Sequence, residues 1–246
     1  MDTTTTTTTP DISFYFALHR HMRSDLVRYV DTIAALTPAD RSSRIPALVR
    51  WVKGFTFELE EHHHVEDLVF FPEMRSRIPA VAEVLDALDA DHQQMDVLLA
   101  RWPALMAALA DREAPFEPAK AAALEMGQEL RDLLLTHLDV EDNDILPMYW
   151  RHYTAAEYDA IQQTAIKKGK KKGFAFIAPW CVDSVEGAER EAFLAQVPWV
   201  MRAFHRLVRP RYDRLLAAAY GPDSPARACG RRAAHHASRS SSSMRP

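Results

Sequence analysis

The sequence contains little glycine and little cysteine, with 7 glycines and 2 cysteines in 246 residues. So few glycines argue against a turn-rich β architecture, and the abundant Ala, Leu, Glu and Arg favour helices. The cysteines, Cys181 and Cys229, lie far apart and form no Cys-x-x-Cys pattern, which indicates neither a disulfide framework nor a thiolate metal site. We therefore expect an all-α fold in a reducing compartment.

A long apolar run and a large charge of one sign are also missing. No uninterrupted apolar segment approaches the length of a membrane span, and the seven threonines near the start lack the pattern of a secretory signal. The formal net charge of −4 points to neither nucleic acid nor a membrane as a partner. These features predict a soluble cytoplasmic protein.

One pattern occurs twice in the chain: His-x-x-Val-Glu-Asp, then four residues, then Pro. The first copy runs from His62 to Pro72 and the second from His137 to Pro147. On an α-helix, positions i and i+4 share a face, so each histidine can converge with its glutamate, Glu66 or Glu141, on one point. Two such helices facing each other would form a centre of two histidines and two carboxylates, which iron, manganese or zinc accepts.

Apolar spacing predicts four amphipathic helices, which begin near residues 11, 46, 80 and 119. Each carries one histidine within its apolar stripe: His19, His62, His92 and His137. Short connections between the four helices predict an antiparallel up-down bundle, whose core is a common place for a metal site. The candidate metal ligands are His19, His62, Glu66, His92, His137 and Glu141.

Two buried carboxylates are costly unless a positive charge compensates them, and a metal ion supplies that charge. The alternative without metal has the four histidines and two glutamates satisfying one another. His63 and His64 are rotated about 100° and 200° from the His62 stripe. We expect them at the rim or surface, with an outer hydrogen-bonding role as the lesser option.

With these motifs, the chain resembles the hemerythrin-like family, also called the HHE cation-binding domain, over residues 12–150. The resemblance implies a left-handed antiparallel four-helix bundle that holds a non-haem di-iron centre. It also implies that Glu66 and Glu141 bridge two iron ions and that the four histidines are terminal ligands. Zinc and manganese are the alternative metals.

The chain departs from the oxygen-carrying members of that family in two respects. Those proteins have a second histidine one turn after the third-helix histidine, where this chain has Asp96, so the coordination expected here is more open. They also use an aspartate five residues after the last histidine, which here is Asp142. We expect Glu141 instead, because it matches Glu66 in the repeat and keeps the i, i+4 geometry; Asp142 is the second choice.

A ferritin-like di-iron bundle is the main competing fold, and it requires Glu-x-x-His on two helices. Glu60 with His63 and Glu61 with His64 fit that pattern on the second helix. The third and fourth helices lack it, which argues against this class.

The remaining segments complete the predicted organisation. The predicted divisions are a disordered Thr-rich tail (1–11), the metal-binding bundle (12–150), a helical extension packed on the bundle (151–221) and a disordered tail (222–246). Thr154 and Glu157 have the spacing of a capping box, and two helices broken at Pro198 and Pro210 are predicted over 186–220. The basic run Lys167–Lys172 is interpreted as a solvated loop, with nucleic acid or an anionic surface as the alternative contact.

The function predicted is that of a non-haem di-iron protein that binds or reacts with dioxygen or a related small oxidant, in oxygen or redox sensing or storage. One alternative is an enzyme that decomposes peroxide or reduces nitric oxide at the same centre. The other is a partner-binding helical module with a structural metal. No acid or base beyond the ligands stands out as a catalytic residue, so enzymatic activity and oligomeric state stay open.

Overall fold

The computed structural model describes residues 9–170 and 173–221, and this part of the chain is helical, with no strand. Its α-helices are α1 (Ser13–Ala35), α2 (Ile45–Val65), α3 (Phe71–Arg77), α4 (Ala82–Ala110), α5 (Phe116–Val140), α6 (Leu146–His152), α7 (Ala155–Lys168), α8 (Phe174–Asp183), α9 (Gly187–Gln196) and α10 (Trp199–Tyr220). Short 3-10 helices cover Pro38–Ser42 and Pro79–Val81, and π-helical turns cover Glu66–Phe70 and Glu141–Ile145. The disorder predicted for 1–8 and 222–246, Cys229 and the last two lysines of the basic run lie outside the described residues.

Four long helices, α1, α2, α4 and α5, coincide with the four predicted amphipathic helices. Contacts join α1 to α5, α5 to α4 and α4 to α2. Their apolar stripes meet in a buried cluster in which Trp102 Nε1 donates a hydrogen bond to the Tyr29 hydroxyl over 2.8 Å, and Trp51 stacks on Phe55. Aromatic side chains of this size contribute much of the area that folding removes from water.

The four predicted histidines lie between two separate apolar clusters. Cluster 1 includes, one from each long helix, Met22, Leu59, Met95 and Leu134. Cluster 2 includes, from the same helices or the segments that adjoin them, Ile12, Val69, Leu88 and Ile145. On each helix the histidine falls between its member of cluster 1 and its member of cluster 2, so the polar residues form one layer across an otherwise apolar core.

The C-terminal helices α8 and α10 pack against α2. Gly54 permits the close approach, because a Cβ at that position would lie 2.4 Å from the ring of Phe176. Trp180 of α8 is fully buried and donates a hydrogen bond to Asp25 of α1 over 2.9 Å. Among the described residues, none of the helices is both long and apolar enough to cross a membrane.

Two predictions for the C-terminal region had different outcomes. The capping box at the start of α7 is confirmed: the Thr154 hydroxyl accepts from the backbone N–H of Glu157, whose carboxylate accepts from the N–H of Thr154. The break at Pro210 is wrong, because α10 runs through this residue. A proline removes one backbone hydrogen bond from a helix, and the surrounding 22-residue helix tolerates that loss.

Candidate metal centre

The sequence repeat is also a structural repeat. Both copies leave the α-helix at the glutamate and form a π-helical turn, in which the N–H of Phe71 donates to the carbonyl of Glu66 and that of Leu146 to the carbonyl of Glu141. The next residue in each copy is the repeat proline, which has no N–H and whose ring clashes with the carbonyl four residues earlier in a regular α-helix. A widened turn relieves that conflict, and such turns are frequent at functional sites.

The six predicted ligands come together in two groups that share both glutamates. His19 and His62 form one group with Glu66 and Glu141, and His92 and His137 form the other with the same pair. Within each group, the potential ligand atoms all lie within 4.8 Å of one another. The two groups of potential ligand atoms therefore have both carboxylates in common.

The orientation of Glu66 suits a bridging carboxylate. Its Oε1 lies 3.2 Å from Nε2 of His62, and its Oε2 lies 3.7 Å from Nε2 of His92. Glu141 places one oxygen, Oε2, 3.6 Å from Nε2 of His19 and 3.5 Å from Nε2 of His137. Each glutamate therefore faces one histidine of each group.

The aspartate after each glutamate contacts a histidine on its outer nitrogen. Asp67 Oδ1 lies 2.7 Å from Nδ1 of His92, and Asp142 Oδ1 lies 2.7 Å from Nδ1 of His19. A proton held on Nδ1 and donated to the carboxylate leaves Nε2 with a free lone pair that points towards the glutamates, as is usual for metal-binding histidines. Glu141 thus belongs to both groups of potential ligand atoms, and Asp142 contacts the outer nitrogen of His19.

Burial shifts the pKa values of four side chains of the centre, Glu66, Glu141, His62 and His137, towards their uncharged forms. Desolvation raises the pKa of Glu66 and of Glu141 well above the ordinary range, and a neighbouring carboxylate, Glu141 for the first and Asp142 for the second, adds to the rise. Desolvation lowers the pKa of His62, and it lowers that of His137 to about 2. Neutral imidazoles are the form that binds metal, and a cation would stabilise the ionised carboxylates.

Several buried ligand atoms lack a hydrogen-bond partner among the described residues. They are His19 Nε2, His62 Nε2, Glu66 Oε2 and Glu141 Oε2. An unpaired buried polar atom costs about 1–3 kcal/mol. In the alternative without metal, a hydrogen bond between the carboxyl groups of Glu66 and Glu141 leaves Nε2 of His19 and of His62 still unpaired, whereas a cation would interact with all four side chains. The donor set, nitrogen and carboxylate oxygen, fits iron, manganese and zinc.

His63 is part of this layer, contrary to the expectation that it lies at the rim or surface. It is only 3% exposed, and its ring stacks on that of His92 with centroids 4.1 Å apart and an interplanar angle of 16°. Its nitrogens lack a hydrogen-bond partner within the described chain, and one lies within 4.8 Å of ligand atoms of His92 and His137. A core-facing helix stripe is more than 100° wide, so a residue next to His62 can still be buried.

Sequence reasoning also missed Tyr15. Its hydroxyl donates a hydrogen bond to Glu66 Oε1 over 3.0 Å. Tyr15, Tyr149 and both glutamates line a small cavity on the cluster 2 side of the centre. Its place near the site could have been suspected from the sequence, because Tyr15 precedes His19 by four residues and so lies on the same helix face.

A family model described as the hemerythrin HHE cation binding domain matches residues 12–149. That segment contains both copies of the repeat, the four stripe histidines and the two glutamates. No curated protein and no solved structure matches the chain.

Proposed function

The chain belongs to the hemerythrin HHE cation-binding domain family, and we propose that it holds a non-haem di-iron centre that binds or reacts with dioxygen or a related small oxidant. Its role would be oxygen or redox sensing or storage. The observation that carries the proposal is the pair of ligand groups that share Glu66 and Glu141. Two metal ions that shared these carboxylates would be close enough to exchange electrons with one small ligand.

We assign the ligands by the two groups. His19 and His62 would hold one ion, His92 and His137 the other, and Glu66 and Glu141 would lie between them. Iron would supply the redox chemistry when bound. Zinc and manganese accept the same donors, so the donor set by itself does not select iron; the choice of iron follows from the family.

The other residues of the layer orient the ligands and exclude water. Asp67 and Asp142 hold the rings of His92 and His19 through their outer nitrogens. Tyr15 donates a proton in its hydrogen bond to Glu66, which fixes the orientation of that carboxylate. Clusters 1 and 2 close the layer on two sides with apolar side chains, and low local polarity strengthens the remaining electrostatic interactions.

We also propose that α1, α2, α4 and α5 form an antiparallel up-down four-helix bundle over 12–150. Supporting this arrangement are the contacts that join these helices and the predicted stripe histidine that each contributes to one layer. The C-terminal helices would form an extension over 151–221 that covers α2. The basic run is a loop only in part, because Lys167 and Lys168 end α7. The N–H of Lys170 donates to Glu61 over 2.6 Å, which supports a segment held on α2 over a nucleic-acid contact.

An experiment on ligand reactivity tests the proposal. Iron-loaded protein would be reduced without oxygen and then mixed with dioxygen or peroxide while its absorption spectrum is recorded. We expect a change in the near-ultraviolet and visible bands of the iron centre, and we expect Glu66→Ala to lack it. A reduced, iron-loaded protein whose spectrum does not respond to either oxidant would contradict the proposal.

An enzyme that decomposes peroxide or reduces nitric oxide is the second candidate. The hydrogen bond from Tyr15 to Glu66 favours it, because a phenol 3.0 Å from the carboxylate provides a proton-bearing group beside the metal positions. Steady oxygen evolution from peroxide that disappears in Glu66→Ala would support this activity. Evolution that survives the substitution unchanged would exclude the centre as its source.

A further inference from the structure

The cavity beside the two glutamates is built from side chains of very different polarity. Phe70, Phe71, Ile145 and Leu146 provide its apolar wall. These four residues come from the two π-helical turns and from the first residues of α3 and α6. The cavity is about large enough for one water-sized molecule. A small uncharged or singly charged molecule that entered it would therefore meet Glu66 and Glu141 on one side and apolar groups on most others.

Two tyrosines, Tyr15 and Tyr149, also line the cavity, and their hydroxyls differ in one respect. The hydroxyl of Tyr15 is already engaged, since it donates to Glu66. The hydroxyl of Tyr149 is buried and has no hydrogen-bond partner within the described part of the chain. Tyr149 is 1% exposed, and burial raises its pKa well above the usual range, so the phenol keeps its proton. It is a hydrogen-bond donor without an acceptor, at the wall of a cavity that adjoins the carboxylates.

The ring of Tyr149 is held firmly by its neighbours. Tyr153 and Tyr158 contact it with ring centroids 5.0 Å and 4.9 Å away, and Phe70 lies edge-on at 6.3 Å. A buried hydroxyl that lacks an acceptor destabilises the fold. The hydroxyls of Tyr153 and Tyr158 also lack a partner among the described residues, but Tyr149 is the one of these three tyrosines that lines the cavity.

We propose that this cavity admits the outer end of a small ligand with a hydrogen-bond-accepting atom, of the chemical class of hydroperoxide or azide, and that Tyr149 donates a hydrogen bond to that end. The inference rests on the proposed function, because the ligand's other end would be held by a metal ion at the glutamates. Tyr149 would then select among ligands, because a ligand that accepts a hydrogen bond gains an interaction that a purely apolar wall would not offer.

Azide is a suitable probe, because it is a small anion that accepts hydrogen bonds and colours ferric centres. Oxidised, iron-loaded protein would be titrated with azide and the charge-transfer absorption followed. The variant is Tyr149→Phe. The matched control is Tyr153→Phe, which removes another buried, unpartnered hydroxyl from the same aromatic group but does not line the cavity.

We expect the azide dissociation constant to rise by about 10-fold or more in Tyr149→Phe, the usual effect of losing a hydrogen bond to a charged group. In Tyr153→Phe it should stay within about 2-fold of the wild-type value. An unchanged constant in Tyr149→Phe, with iron content equal to that of the wild type, would overturn this inference and leave the proposed function standing. A wild-type protein that takes up no iron would overturn both.

A measurement on the wild type keeps the inference testable if Tyr149→Phe loses iron. Vibrational spectra of the azide adduct would be compared in H2O and D2O. A shift of the azide stretching band on exchange is expected, because the donated phenolic proton exchanges with solvent. Identical band positions in the two solvents would overturn the proposal.

Discussion

Nδ1 of His19 lies 2.7 Å from Oδ1 of Asp142. The aspartate that follows the second repeat glutamate therefore reaches a histidine of another helix on its outer nitrogen. Asp67 does the same for His92 in the first copy. The two acidic residues of each Val-Glu-Asp thus have separate positions: the glutamate lies among the potential ligand atoms, and the aspartate contacts the outer nitrogen of a histidine.

This division predicts different effects for neighbouring substitutions. Glu141→Ala should abolish binding at both metal positions, because Glu141 belongs to both ligand groups. Asp142→Ala should still bind metal, but its affinity for the ion next to His19 should fall by about 10- to 100-fold, the usual effect of losing an outer partner of a metal-binding histidine. Metal analysis and competition with a chelator measure both.

Asp144→Asn serves as the control, because Asp144 is an exposed residue of the same π-helical turn. Its metal affinity should equal that of the wild type. If Asp142→Ala lost both ions while Glu141→Ala retained them, the aspartate would be the bridging ligand and the assignment would be reversed.

His63 should matter for the second metal position. Its ring stacks on His92, so His63→Ala would leave that ligand less well oriented and remove a nearby nitrogen. We expect the affinity of the ion at His92 and His137 to fall by about 10-fold or more, as measured by metal titration. His64→Ala is the matched control, since His64 is the adjacent, partly exposed residue. Equal titration curves for the two variants would rule out this role.

Glu58 gives a pH dependence that does not depend on the metal ligands. Burial, with a smaller contribution from Glu61, raises its pKa from 4.5 to about 8. Between these pH values the folded protein holds a proton that the unfolded chain has lost. The contribution of Glu58 to the free energy of unfolding is therefore complete below pH 4.5 and is lost as the pH rises through about 8. Stability at alkaline pH is therefore reduced by the need to ionise a buried carboxyl.

Glu58→Gln removes that ionisation. Its melting temperature should exceed that of the wild type at about pH 8.5 and approach it at about pH 5, as measured by thermal unfolding across that range. Glu125→Gln, at an exposed position on α5, should follow the wild-type curve throughout. A Glu58→Gln curve parallel to that of the wild type would show that Glu58 does not titrate in this range.

Helix periodicity and the repeat were enough to predict the stripes that bring the two ligand groups together. His62 with Glu66 and His137 with Glu141 follow from i, i+4 spacing, and His19 and His92 follow from their apolar stripes. These signals are local, so a single sequence contains them. The assignment of the six residues as ligands stays a prediction that the substitutions above test.

Other features depend on contacts between helices and could not be predicted from spacing within one helix. The burial of His63 depends on how α2 faces α4, and the bond from Tyr15 to Glu66 depends on how α1 faces α2. The π-helical turns could have been suspected from the repeat prolines, because each follows the glutamate by six residues in both copies. At Pro210 the local rule was wrong, since neighbouring helices hold α10 in one piece.

The most direct test of the central claim is the iron content per chain, measured together with the spin coupling of the oxidised protein. The two ligand groups that share Glu66 and Glu141 predict two iron ions per chain. Because shared bridges couple their electrons, a Mössbauer spectrum of the ferric protein should show a diamagnetic ground state. One isolated, paramagnetic ferric ion per chain, or a centre that loads zinc and excludes iron, would contradict the account.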